Sequence, residues 1–92
     1  MIKTFKCKDT ESLFQGKRVA RFAQIERAAL RKLEQLELAE TIEDMRAPPG
    51  NRLEPLKGDR LGQWSVRINA QWRVCFRFEN GAAWDVEIVD YH

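Results

Sequence analysis

The hydrophobic pattern changes period once along the chain. Between about Val19 and Leu38 the apolar residues Phe22, Ile25, Ala29, Leu33 and Leu36 recur at steps of three and four, which places them on one face of a helix. From Gln63 onward the step is two. Trp64, Val66 and Ile68 alternate with Gln63, Ser65, Arg67 and Asn69, and Trp72, Val74, Phe76 and Phe78 alternate with Arg73, Cys75 and Arg77. Such alternation predicts two strands, each with one buried face. Asn69-Ala70-Gln71 is the expected turn between them. Asn80-Gly81 is a strong two-residue hairpin signal, because both residues tolerate positive φ. It leads into a further strand, about Ala83 to Val89, with Trp84, Val86 and Ile88 inward and Asp85 and Glu87 outward. On this parity Trp64, Trp72 and Trp84 all belong to the core.

The remaining segments are shorter. Ile2 to Lys6 reads as a first strand anchored by Phe5, and Asp9 or Thr10 can cap a short helix through about Phe14 that Gly16 ends. Thr41 can cap one more turn to Arg46 before Pro48 and Pro49 remove two amide donors and stop it. Pro48 to Gly62 then reads as a loop, pinned to the core by Leu53 and Leu56. Strand, helix, helix, long loop and a three-stranded meander predict an α+β fold, with two N-terminal helices packed on one face of a curved, mainly antiparallel sheet of about four strands. All of residues 1–92 are expected to form a single domain.

Composition supports a small core: 43% of the 92 residues are apolar and three tryptophans stand among nine aromatics. The formal net charge of +2 predicts no partner by itself. Its distribution says more. Met1 to Arg46 holds ten basic and eight acidic residues, Ala47 to Arg77 six and two, and Phe78 to His92 none and four. A basic middle followed by an acidic end suits polyanion binding beside reactive carboxylates, and equally suits cross-strand ion pairs. Cys7 and Cys75 lack metal-ligand spacing and the chain has one histidine, so neither a metal site nor another cofactor is expected. Two lone thiols and the lack of a long apolar run predict a soluble cytoplasmic protein without membrane contact.

With the helices on the apolar side, the other sheet face presents Arg67, Arg73 and Arg77, bordered by the loop with Arg52 and Arg60 and by the chain end. These arginines are candidate RNA ligands. Cutting RNA with its own 2′-hydroxyl needs a base, an acid for the leaving 5′-oxygen, and cations for the phosphoryl charge. Arg73, Arg77 and Lys57 can supply the cations, Glu54 or Asp90 a carboxylate, His92 a group titrating near neutrality, and Tyr91 a ring to stack on a base. Each also has a plain structural role: Arg73 and Arg77 as ion-pair partners of Asp85 and Glu87, Lys57 in a solvated turn, Tyr91 as core filler, His92 as a solvated end.

Three runs carry a resemblance: PPGNRLEPLKG from Pro48 to Gly58, QWRVCF from Gln71 to Phe76 following Asn69, and EIVDYH from Glu87 to His92. With them, nearly the whole chain resembles the HigB branch of the RelE-like toxins, and the derived order of elements agrees with that family's fold. The resemblance implies the toxin of a type II toxin–antitoxin pair: an endoribonuclease that enters the A site of the 70S ribosome, cuts the messenger RNA there, and is sequestered by a helix-turn-helix, HigA-like antitoxin in a hetero-oligomer. It also implies roles. Lys57 and Arg73 would bind phosphate and stabilise the transition state, Asp90 and His92 would form the acid/base pair, and Tyr91 would position a base. One position departs, since some relatives carry histidine where this chain has Glu54, leaving the general base to Glu54 or His92.

Two alternatives keep the same fold. A ParE-like toxin would block DNA gyrase without catalysis, and a plain RNA-binding module would bind without cutting. Either would leave the acid, base and cation set idle. Lys17, Arg18, Arg21, Arg27 and Arg31 add a basic stretch around the helices, suited to ribosomal RNA, to an acidic antitoxin segment, or simply to solvent.

Overall fold

The computed structural model of the chain describes residues 1–91, and His92 lies outside the described residues. Helix α1 spans Lys8–Phe14 and α2 spans Glu26–Leu38, the latter entered through a 3-10 turn at Ala20–Ile25. Four strands follow: β1 Glu54–Pro55, β2 Trp64–Arg67, β3 Trp72–Glu79 and β4 Ala82–Asp90. They form one antiparallel sheet in the order β1-β2-β3-β4. The α+β expectation holds, with the helices on one sheet face.

Phe22, Leu33, Leu36, Val66, Val74, Phe76, Val86 and Ile88 are sequestered between the layers, as the two periodicities require. The single predicted helix from Val19 is in fact two segments, because Ile25 leaves helical geometry with ψ near 5° between the 3-10 turn and α2. Cys7, and neither Asp9 nor Thr10, is the N-cap of α1. Thr10 is instead fully buried, where its hydroxyl accepts the amide of Ile88 at 3.0 Å and ties the helix to β4.

The first predicted strand is reduced to two parallel bridges, Ile2 with Ala83 and Phe5 with Val86. Continuous pairing is interrupted by a bulge in β4. Cys75 pairs with Glu87 but Arg77 with Trp84, so two steps on β3 face three on β4, and Asp85 absorbs the extra residue at φ 54°. Thr4 fills the gap, its hydroxyl accepting the Asp85 amide at 2.8 Å.

The bulge overturns one core assignment. It reverses side-chain parity, so Ala83 and Val86 both point inward while Trp84, paired with Arg77, turns to the open face. Trp64 and Trp72 do pack against the core. The turns follow their sequence signals: Asn80 and Gly81 take φ of 53° and 74°, and the Asn69 side chain accepts the amides of Gln71 and Trp72, each at 2.8 Å.

The loop before β2 is held from below. Leu56 is buried and Leu53 packs on the core, as expected. Asn51 is a further, fully buried anchor. Its amide nitrogen donates to the carbonyls of Met45 and Ala47 and to the Gln35 side chain, while its oxygen accepts from Lys32 on α2. Loop and helix are thereby clamped together, and Arg52 and Glu54 emerge on the sheet side.

Candidate active site

Arg73 is the hub of the open sheet face. Its side chain is only 13% exposed, yet it rises from the face opposite the helices. Nη1 donates to the Ser65 hydroxyl at 2.6 Å, lies 3.3 Å from Glu54 Oε1, and reaches the Arg52 carbonyl at 3.5 Å. The Tyr91 ring stands beside it, 5.2 Å from guanidinium carbon to ring centroid, within cation–π range. Four residues from three chain segments thus converge on one cation.

Local folding explains how each arrives. β1 is two residues long and pairs Glu54 with Ser65, which brings the carboxylate to the sheet edge next to Arg73. Arg52 adopts a left-handed conformation at φ 45°, a geometry costing roughly 1–2 kcal/mol for a non-glycine residue. That turns its carbonyl toward Arg73. At the far end, the Tyr91 amide donates to the Gln71 carbonyl at 2.6 Å, and the Gln71 side-chain amide donates to Asp90 Oδ2 at 3.1 Å. The chain end is therefore fastened beside the turn that precedes Arg73.

The register also sets Arg67 directly opposite Arg73. Like charges in that relation destabilise a sheet. A structural sheet gains nothing from the pair, whereas a surface for a polyanion does.

The other candidates are distributed around this cluster. Lys57 is exposed and extended, immediately before the 3-10 turn Gly58–Arg60. Arg60 reaches across the open face to Glu87 at 2.8 Å, and that hydrogen bond raises its pKa further. Glu87 was expected to pair with Arg73 or Arg77, but it takes Arg60 and, at 3.9 Å, Lys6. Arg77 is bound by Asp85 at 2.9 Å and by Glu79, an ion pair the alternation had anticipated for Asp85. Asp90 pairs with Trp72 at the end of β4, on the parity opposite to Arg73. His92, the remaining candidate, is outside the described residues.

Ser65 is the member of the Arg73 cluster that alternation alone does not single out. It is completely buried although it lies on the open face, because charged side chains close over it. Its sequence signal is the placement of a small hydroxyl residue on the polar parity of β2, one strand from Arg73. Cys75, its cross-strand partner, is equally buried. Burial raises the pKa of that thiol, against the opposing pull of Arg60. Among the described residues no group of three or more histidine, cysteine, aspartate or glutamate side chains is placed to hold a metal ion. Nor is any helix among them long and apolar enough to cross a membrane.

The chain as a whole has known relatives. Residues 3–92 match the family model described as the RelE-like toxin of type II toxin–antitoxin system HigB. Toxin HigB-1 of Vibrio cholerae is 41% identical over 81 residues, 86% of this chain and 85% of that one. Endoribonuclease HigB of Proteus vulgaris is 51% identical over 41 residues, 45% of each chain. In fold, the chain is similar to the Staphylococcus aureus YoeB–YefM toxin–antitoxin heterotetramer, with TM-score 0.58 at 16% identity, covering 100% of this chain and 98% of that one. YafQ from E. coli is similar to the same degree, with TM-score 0.58 at 13% identity over 98% and 93% of the two chains. The chain accordingly belongs to the HigB family of RelE-like toxins of type II toxin–antitoxin systems.

Proposed function

We propose that this toxin is an endoribonuclease that cuts messenger RNA in the ribosomal A site, using Arg73 and its surrounding groups as the reaction centre. The observation that carries the reading is the convergence of Glu54, Ser65 and Tyr91 on the Arg73 guanidinium. The relative from Proteus vulgaris is named Endoribonuclease HigB, which supports the cutting of RNA.

In the proposed reaction the 2′-hydroxyl gives its proton to a base as its oxygen bonds to phosphorus. The phosphorus–O5′ bond breaks, the 5′-oxygen takes a proton from an acid, and a 2′,3′-cyclic phosphate remains. Glu54 is the base, being half-exposed and 3.3 Å from the cation that would hold the phosphate. The acid end of the exchange falls to the chain terminus, Asp90 with His92, although Asp90 itself takes the parity opposite to Arg73. Arg73 and Lys57 stabilise the charge developing on the phosphoryl oxygens, with Arg52 and Arg67 extending the positive field along the strand of RNA. Tyr91 stacks on a base at the cut. A phosphate entering this site competes with Glu54 for Arg73, which frees the carboxylate for the hydroxyl.

The toxin acts in the cytoplasm, and its partner is a helix-turn-helix antitoxin. The test is to map breaks on a message held by translating ribosomes, with wild type beside Arg73→Ala. Breaks confined to the A-site codon and absent with Arg73→Ala support the reading. Intact message with active wild-type toxin would sink it, and gyrase inhibition surviving Arg73→Ala would replace it with the ParE-like alternative.

A further inference from the structure

The same sheet face carries a second set of groups, which the proposed reaction does not use. β3 presents Arg73, Cys75 and Arg77 on this side, and the two arginines are separated by roughly 13 Å of strand. Opposite them on β4 stand Val89, Glu87 and Trp84. The bulge at Asp85 has turned the Trp84 indole out of the core onto this face. Its Nε1–H donates to the Glu79 carbonyl at 3.3 Å, so the ring lies toward the hairpin turn. Between Trp84 and the cutting cluster sit Lys6 and Arg60, both attached to Glu87.

An aromatic ring at each end with cations between them is what an unpaired nucleic-acid strand requires: π-faces for its bases and positive charge for its backbone. We propose that Trp84 is a stacking platform for an unpaired base of the message flanking the cleaved step, with Lys6 and Arg60 meeting the phosphates in between. The inference rests on the reading of the chain as an RNA-cutting toxin. Trp84 touches no reacting atom and sets how a longer strand is held. It follows that RNA reaching only the cutting cluster is blind to Trp84, whereas RNA crossing the whole face is not. A role confined to bracing the hairpin would not depend on RNA length.

The experiment is equilibrium binding of wild type, Trp84→Phe and Trp84→Ala to single-stranded RNAs made uncuttable by 2′-deoxy substitution, in lengths of about three and about nine nucleotides. Trp84→Ala is expected to weaken the longer strand roughly 5- to 150-fold, the range for loss of one base–aromatic stack, and to leave the shorter one nearly unchanged. Trp84→Phe, which keeps a ring but loses the bond to Glu79, is expected to retain most of the affinity. The proposal is overturned if Trp84→Ala weakens both lengths equally or neither, if Trp84→Phe fails as badly as alanine, or if wild type binds neither strand. Since the RNA is never cut, the nuclease reading is judged separately: a length-dependent Trp84 effect beside a message that stays intact on ribosomes would leave this subsite and remove the nuclease.

Discussion

Arg73 reaches diagonally from β3 to donate a 2.6 Å hydrogen bond to the buried hydroxyl of Ser65 on β2, whose direct cross-strand partner is Cys75. A long side chain that must meet a phosphate in one place loses rotamer freedom on binding, and a buried acceptor removes that freedom in advance. Ser65 is thus a positioning residue in the proposed reaction. Ser65→Ala is expected to lower kcat about tenfold, equivalent to about 1.4 kcal/mol of transition-state stabilisation, while KM changes no more than about twofold. Ser65→Thr, which keeps the hydroxyl, should recover more of the rate than alanine if its added methyl is accommodated. Equal losses in kcat for the two variants, scaling with their melting temperatures, would reduce Ser65 to a packing residue.

Glu54→Gln keeps the size of the side chain and can still contact Arg73 through its amide oxygen, but it cannot take a proton. Cleavage on ribosomes is expected to fall by about 10²–10⁴, the usual contribution of a general base. The side chain is 47% exposed, so the melting temperature should hardly move. Cutting at the wild-type rate would pass the role of base to His92.

The two cysteines should behave oppositely toward an alkylating reagent. At Cys7, burial would raise the thiol pKa, but hydrogen bonds from Thr10 and Asp9 and the charge of Arg21 outweigh it and bring it below the ordinary value. The half-buried thiol therefore has more thiolate at neutral pH than a free cysteine. Cys75 is fully buried, and burial raises its pKa. Mass spectrometry should find one label on the native protein, at Cys7, and two after denaturation. Rapid native labelling of Cys75 would mean that the charged cover over the open face opens readily.

Most of this fold could be read from the chain because its signals are local. The helical stripe from Phe22 to Leu36, the alternation in β2 and β3, and Asn80-Gly81 each report a geometry decided within a few residues. Trp84 shows the limit. Its inward assignment follows from strict alternation, and only a bulge, stabilised by Thr4 from the other end of the chain, reverses it. The site divides in the same way. Arg73 and Glu54 were recognisable as residue types on a polar face and a loop, but their 3.3 Å approach depends on β1 pairing with β2, and two residues of strand leave no periodicity to detect. Ser65 was hidden because a serine on the polar parity of a strand is ordinarily solvated, and here long charged neighbours bury it.

Asn51 tests whether the loop is part of the machine or only its border. The residue is completely buried with its amide and carbonyl both engaged, so replacing it with alanine strands the Met45 carbonyl and the Lys32 ammonium, while the Ala47 carbonyl keeps its bond from Gln35 Nε2 at 2.6 Å. Leaving a buried polar group unsatisfied costs about 1–3 kcal/mol, and partial access of water to Lys32 and Gln35 keeps the total near the upper end of a single such loss. Asn51→Ala should therefore lower stability by about 2–3 kcal/mol, read from chemical denaturation. The loop's hold on α2 also fixes where Arg52 and Glu54 leave it. The variant should for that reason cut more slowly even at temperatures where it is fully folded, with thiol labelling of Cys75 accelerated as the cover loosens. Full activity in a folded but destabilised Asn51→Ala would show that the pairing of β1 with β2 alone is enough to place Glu54 beside Arg73.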